Sequence, residues 1–340
     1  MRSMLKSALT DADNIEVVGT AMNGLDGYEK IKNLKPHVVT LDVEMPGMDG
    51  IELLRRIMAE SPLPVVMVST KTQAGARATI DALRIGAVEC VAKPLGDKSA
   101  TLESFRQRVI DAVNSAASSN RTCLGRKCDP IVGAPAVAGY PSDLVVAIGI
   151  SAGGPATLHE MIPALPKEFP PLVITQHMPA GFTGPFAQRL SEGSKLNVKE
   201  AAEGDELRCG CALIAPGDRH LRIKRQGSRL VATLDDGPKV SGFRPSVDVL
   251  FESVAATVAD HAVGVVMTGM GCDGSVGVRL LKGVGAHTIA QDKETSVVFG
   301  MPKAAFETGC IDHVLPLPQI PHGMIAAIRE ITARVSCLAR

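Results

Sequence analysis

Short apolar runs, each closed by a turn and followed by a segment of helical period, recur along both halves of this 340-residue chain. Runs without polar alternation fit strands covered on both faces, so the recurrence predicts parallel sheets flanked by helices. In the first part, helices are expected at 2–9, 24–34, 51–60, 75–85 and 102–115, and strands at 16–22, 37–41, 64–69 and 88–92. In the second, strands are expected at 144–149, 172–176, 211–215, 230–234, 262–267 and 287–291, and helices at 157–164, 186–191, 247–257 and 276–282. The stretch near 200–235 reads as an antiparallel insertion.

The length suits two domains. Periodicity disappears between them, where Ser, Ala, Gly and Pro accumulate, so the expected division is a domain at 1–115, a flexible linker at 116–141 and a second domain at 142–340. Lys and Arg total 36 against 36 Asp and Glu, which removes any bulk attraction to nucleic acid or anionic lipid. With no Trp and only two Tyr, the chain is poorly furnished for stacking bases. Its eight cysteines lack paired C-x2-C spacing, and reduced thiols are the expectation. No apolar run approaches the roughly 18 residues of a membrane span, and a cytoplasmic protein without direct membrane insertion is expected.

Chemistry-bearing residues fall where strands end. In doubly wound sheets ligands bind beyond the carboxyl ends of strands, and there the first domain places Asp42, Ser69-Thr70 and Lys93-Pro94. Asp42 alone would pass for a turn or helix-capping acid. Together with a hydroxyl and an ammonium group on the same edge, it makes a phosphoacceptor site.

Three strand ends carry the second domain. Ser151 lies in Gly149-Ile150-Ser151-Ala152-Gly153-Gly154, at a helix start where exposed amides favour developing negative charge, or it is simply that helix's N-cap. His177 ends the next strand, so a nucleophile and a base share one sheet edge. Asp273 follows a third strand within Gly269-Met270-Gly271-Cys272-Asp273-Gly274. This segment admits three readings: the acid of a Ser–His–Asp set, a structural turn, or a dinucleotide G-x-G-x-x-G loop with Asp292 at the ribose-binding spacing. Gly149–Gly153 also fits the nucleophile elbow of α/β-hydrolases, but one preceding strand and the order Ser, His, acid do not suit that fold.

Leu41-Asp42-Val43-Glu44-Met45-Pro46-Gly47-Met48-Asp49-Gly50, with Val68-Ser69-Thr70 and Ala92-Lys93-Pro94, resembles a response-regulator receiver domain. The resemblance implies a flavodoxin-like fold with Asp42 as phosphoacceptor, Ser69 as switch hydroxyl and Lys93 as phosphate-binding lysine. It also implies Mg²⁺ held by Asp42 and the Glu44 backbone, although the family's first strand and its paired acids have no counterpart here. In the strand order 2-1-3-4-5 that strand is central, and its loss would unpair ladders on both neighbours. The natural product is therefore expected to begin upstream of Met1, and the receiver site of this chain to be defective.

Ala147–Gly154, Thr175-Gln176-His177-Met178-Pro179, Ile214–Leu221, Arg244-Pro245-Ser246-Val247-Asp248 and Met267–Gly274 resemble the chemotaxis protein-glutamate methylesterases, whose domain would be doubly wound, mainly parallel α/β. That likeness implies hydrolysis of glutamate methyl esters on chemoreceptors, deamidation of receptor glutamines, and a chemotaxis histidine kinase as phosphodonor. It implies Ser151, His177 and Asp273 as the triad without a catalytic cofactor, Met270 as an oxyanion support beside the Ser151–Ala152 turn, and an unphosphorylated receiver that covers the esterase face. The competing class is a receiver-controlled module that binds nucleotide or DNA and has no esterase activity.

Overall fold

The computed structural model describes residues 2–10, 12–70, 72–94, 99–125 and 131–338. The chain divides into two compact units, Met1–Lys127 and Cys128–Arg340.

The first unit runs α1 (Arg2–Thr10), α2 (Gly24–Leu34), β1 (Val39–Asp42), α3 (Gly50–Glu60), β2 (Val65–Ser69), α4 (Gln73–Ile85), β3 (Glu89–Ala92) and α5 (Ser99–Ala117). The three strands are parallel in the order β1-β2-β3. Helix starts follow local chemistry: Asn23, Asp49 and Thr72 each accept a backbone N–H from the first turn of α2, α3 and α4. Val65–Val68 of β2 are fully buried, as a central strand requires. The strand expected at 16–22 does not form. A strand is made by its ladder, and this segment pairs with no other among the described residues, leaving Val18 and Met22 exposed. Among the described residues the unit therefore shows three strands where four were expected.

The stretch expected as a linker is partly packed. Beyond α5, Arg121–Cys123 form a 3₁₀ turn, Leu124 is buried and the Arg121 guanidinium donates to the His37 carbonyl. Farther on, Ala134 donates to the Ala164 carbonyl of the second unit. Residues 126–130 of that stretch lie outside the described residues.

The second unit comprises β4 (Val145–Ile150), α6 (Gly154–Met161), β5 (Leu172–Gln176), α7 (Thr183–Glu192), β6 (Asn197–Glu200), β7 (Cys211–Ile214), β8 (His220–Gln226), β9 (Arg229–Asp235), α8 (Val247–Val258), β10 (Ala262–Val266), α9 (Ser275–Gly283), β11 (His287–Gln291), α10 (Met301–Glu307), β12 (His313–Leu315) and α11 (Ile320–Leu338). Seven strands form one parallel sheet in the order β12-β11-β10-β4-β5-β7-β6. The antiparallel insertion is narrower than expected. The β8–β9 hairpin is antiparallel and Glu206 bridges Val231 of β9 in the same sense, whereas β7 joins the main parallel sheet beside β5, where Ala212–Ile214 are buried. Leu221 and Ile223 of the hairpin enter the same core as Leu250, Phe251 and Val254 of α8. No helix among the described residues is long and apolar enough to cross a membrane.

Candidate active site

Strand β4 is the switch point of the sheet. From it the chain passes to β5 on one side, and after the hairpin and α8 it returns to β10 on the other. Because all three are parallel, their carboxyl ends adjoin, and the residues after them meet.

Ser151 follows β4 directly. Its amide donates to the Thr268 carbonyl at 2.9 Å, and its carbonyl accepts from Gly154 N at 2.8 Å and Gln176 Nε2 at 2.9 Å. The hydroxyl does not cap α6. That position belongs to Gly153, in the left-handed region at φ 74°, where an added Cβ would also strike the Val297 side chain. Ser151 Oγ instead lies 3.1 Å from His177 Nδ1.

His177 follows β5, with its amide donating to the Ile150 carbonyl at 3.1 Å. Its Nε2 is 2.8 Å from Asp273 Oδ2. Burial pushes the Asp273 carboxyl up, but the hydrogen bond and charge of His177, with the amides of Asp248 and Val247, outweigh burial and hold it below the usual carboxylate range. An ionised carboxylate only accepts, so Nε2 carries the imidazole proton and Nδ1 is left to receive one from Ser151.

Asp273 is fully buried and saturated with donors. Oδ1 accepts from Ser246 Oγ at 2.8 Å and Asp248 N at 3.0 Å, and Oδ2 accepts from Val247 N at 2.8 Å besides His177. These amides open α8, so the helix terminus helps stabilise the charge. Asp248, in the first turn of α8, is pushed above its ordinary value by burial and by the Asp273 charge, with the Gly277 and Gly274 amides pulling the other way. The three readings of the glycine loop are thereby separated in space: Asp273 faces His177, while Asp292 accepts from Thr295 of its own loop.

Ala152 follows the serine, and Met270 follows Gly269, whose backbone approaches the serine from another segment. The Thr268 hydroxyl donates to the Ala152 carbonyl at 2.8 Å, tying those segments together, and Met270 is partly exposed whereas Ala152 is buried.

Several neighbours carry no role that the sequence alone assigns. Phe243 lies flat on the His177 ring, centroids 3.8 Å apart and planes 5° from parallel. Gln176 Nε2 donates to the carbonyls of both Ser151 and His177. Arg244 bonds the Asp236 and Gly237 carbonyls and the Asp218 carboxylate, fixing the loop that bears Phe243 and Ser246. His220, which reads as part of a polar segment, is buried: its Nε2 donates to the Pro238 carbonyl and its Nδ1 accepts from Ser246 N. An isolated Phe in a loop gives no periodic signal. Ser246 and Asp248 belong to the Arg244–Asp248 motif, whose purpose only the folded chain displays.

In the first unit, Lys93 Nζ lies 2.7 Å from each oxygen of Asp42, and Glu44 N donates to Oδ1 at 3.1 Å. Gly50 lets the chain pass there, since a Cβ on it would lie 2.1 Å from the Asp42 carbonyl oxygen. Ser69 is brought to the same sheet edge, but its buried hydroxyl donates to the Gly75 carbonyl at 3.1 Å. The described residues hold no cluster of three His, Cys, Asp or Glu side chains that could take a metal ion, and the one carboxylate here is already paired with Lys93. Asp42, with the backbone at Glu44, would be this unit's share of an Mg²⁺ shell, since Mg²⁺ is commonly held by one or two carboxylates with waters and phosphate oxygens completing the octahedron.

Two family models match the chain: CheB methylesterase over residues 146–324 and response regulator receiver domain over residues 1–104. A protein-glutamate methylesterase/protein-glutamine glutaminase of Anaeromyxobacter dehalogenans is 46% identical over 341 residues, covering 97% of this chain and 94% of its own. Its namesake from Sulfurimonas denitrificans is 44% identical over 339 residues, covering 97% and 96%. Among solved structures, the Thermotoga maritima CheB methylesterase catalytic domain matches with a TM-score of 0.53 and 46% identity, covering 56% of this chain and 99% of that one. With a receiver unit ahead of a parallel α/β unit whose strand ends gather Ser151, His177 and Asp273, the chain belongs to the CheB methylesterase family.

Proposed function

We propose that the chain is a protein-glutamate methylesterase that hydrolyses glutamate methyl esters on chemoreceptors and deamidates receptor glutamines. The observation that carries this reading is the continuous hydrogen-bonded line from Ser151 Oγ through the two His177 nitrogens to Asp273. Ser151 Oγ attacks the ester carbonyl carbon while His177 Nδ1 takes its proton, and the buried Asp273 carboxylate stabilises the imidazolium. The tetrahedral oxyanion is met by the backbone amides of Ala152 and Met270, the Ser151 amide being engaged by the Thr268 carbonyl. His177 returns the proton to the departing methoxide, methanol leaves, and a glutamyl ester remains on Ser151. Water, deprotonated by His177, then releases the glutamate side chain. For a glutamine substrate the same steps release ammonia.

The receiver unit supports control by phosphorylation of Asp42, with a chemotaxis histidine kinase as donor and Lys93 as counter-charge. In this reading the unphosphorylated receiver restrains the esterase, and the protein works in the cytoplasm on the cytoplasmic parts of its receptors. The even charge balance, and an Asp292 carboxylate already engaged by Thr295 of its own loop, lend nothing to a nucleotide- or DNA-binding module.

Methanol release from methylated receptor membranes tests the assignment. The parent chain is expected to release it and Ser151→Ala to lose at least about 1,000-fold in rate. A Ser151→Ala variant with parental release would overturn the reading.

A further inference from the structure

Helices α8 and α9 are fastened by two acids that exchange places. Asp273 stands two residues before α9, yet its carboxylate lies on the first amides of α8, Val247 N and Asp248 N. Asp248 stands in the first turn of α8, yet its Oδ1 accepts from Gly274 N at 2.9 Å and Gly277 N at 2.8 Å, at the start of α9. Each acid thus answers the N-terminal donors of the other's helix. Helix α9 has no local substitute, because its N-cap is Gly274, which offers no side chain. Nor can bulk enter in place of the carboxylate's partner: a Cβ on Gly277 would lie 2.5 Å from Phe251 Cβ.

From this exchange we infer that Asp248 is a positioning residue for the active site, holding the Gly274 amide so that Asp273, one residue earlier, stays in line with His177 Nε2. The inference rests on the Ser151–His177–Asp273 reading. Asp248 touches neither the serine nor the imidazole. Its effect passes through one peptide: the bond to Gly274 N fixes the backbone that carries Asp273, and the bond to Gly277 N fixes the helical turn behind it. Without the carboxylate two buried N–H groups lose their partner, and the loop must shift to find another. A displacement of about 1 Å in a reacting array costs on the order of 100-fold in rate.

The test separates acceptor geometry from charge, in the full-length chain. Asp248→Asn keeps an oxygen where Oδ1 lies, whereas Asp248→Ala removes it; Asp248→Ser, too short to span both amides, serves the same comparison should the alanine variant not fold. The His177 Nε2 proton, held on a carboxylate, gives a far-downfield proton resonance, identified by its loss in His177→Ala. That resonance is expected to persist in Asp248→Asn and to move upfield or vanish in Asp248→Ala. With methylated receptor membranes, kcat is expected to fall about 10- to 100-fold in Asp248→Ala with KM unchanged within about twofold, and to stay within about threefold of parental in Asp248→Asn. The inference is overturned by an unchanged resonance in Asp248→Ala, by its absence from the parent chain, or by an Asn variant as impaired as the Ala variant. The resonance is read without turnover, so a failure of the esterase assignment and a failure of this inference register separately.

Discussion

Gly269 and Ser151 touch so closely that a Cβ built on Gly269 would lie 2.7 Å from the Cβ of Ser151. The same added atom would meet the Met301 sulfur at 2.4 Å, so it has no direction in which to escape. The Gly269 backbone is itself pinned, donating to the Val298 carbonyl and accepting from Gly300 N and Met301 N. Gly269→Ala must therefore move the serine rather than the loop. We expect methanol release to fall by about 100-fold or more in a chain that still folds. Parental turnover in a folded Gly269→Ala variant would show that the contact is dispensable.

Phe243 covers one face of His177, keeping the ring in the plane that joins Ser151 Oγ to Asp273. It also gives the imidazolium formed during turnover an aromatic face, worth about 0.5–2 kcal/mol around a ring largely withdrawn from water. Phe243→Leu is expected to lower kcat roughly three- to tenfold, and Phe243→Tyr to restore it. The comparison is made on kcat with receptor membranes. Equal losses in the Leu and Tyr variants would rule out the stack as the cause.

Strand ends are the legible part of this sequence. Ser151 directly follows an apolar run, His177 follows one through Thr175-Gln176 and Asp273 follows one through a glycine loop; buried parallel strands announce themselves that way, so the meeting of three side chains from distant positions can be anticipated. What supports them cannot. Asp248 looks like any first-turn helix acid, and only the packing of α8 against α9 reveals that its carboxylate serves the other helix. The segment 16–22 misleads for the complementary reason: Val17 and Val18 have strand propensity, but propensity without a partner makes no ladder. His220 reads as polar because it follows Pro-Gly-Asp-Arg, although the burial of His220, Leu221 and Ile223 marks the start of a strand.

Glu89, at the start of β3, is pushed up to about 7 by burial and then by the neighbouring Asp111 carboxylate, with Ser115 pulling down. The folded chain thus keeps a proton there that the unfolded chain surrenders near 4.5. Between those two values the native state binds more protons at Glu89, so this group's contribution to the stability of the first unit falls as pH rises from about 4.5 to about 7 and levels off above. The total change is about 3 kcal/mol, because each tenfold difference in proton affinity between the folded and unfolded chains is worth about 1.4 kcal/mol. Hydrogen exchange at the Cys90–Ala92 amides, corrected for intrinsic rate, should show protection declining across that window and a flat profile in Glu89→Gln. An equal slope in both chains would place the titrating group elsewhere.

Asp42 is the carboxylate proposed above as phosphoacceptor. Lys93 contacts both of its oxygens, so the ammonium already stands where a transferred phosphoryl group would bring further negative charge. Asp42→Asn should abolish labelling by a chemotaxis histidine kinase charged with radioactive ATP. Lys93→Ala should reduce it by about tenfold or more, because one preorganised cation is worth a few kcal/mol to developing charge. The esterase unit does not use Lys93, so methanol release by the unphosphorylated Lys93→Ala chain should match the parent within about twofold. An acyl phosphate is labile to hydroxylamine, and the label should be released by it. Hydroxylamine-labile phosphate persisting on Asp42→Asn would move the phosphoacceptor to another carboxylate.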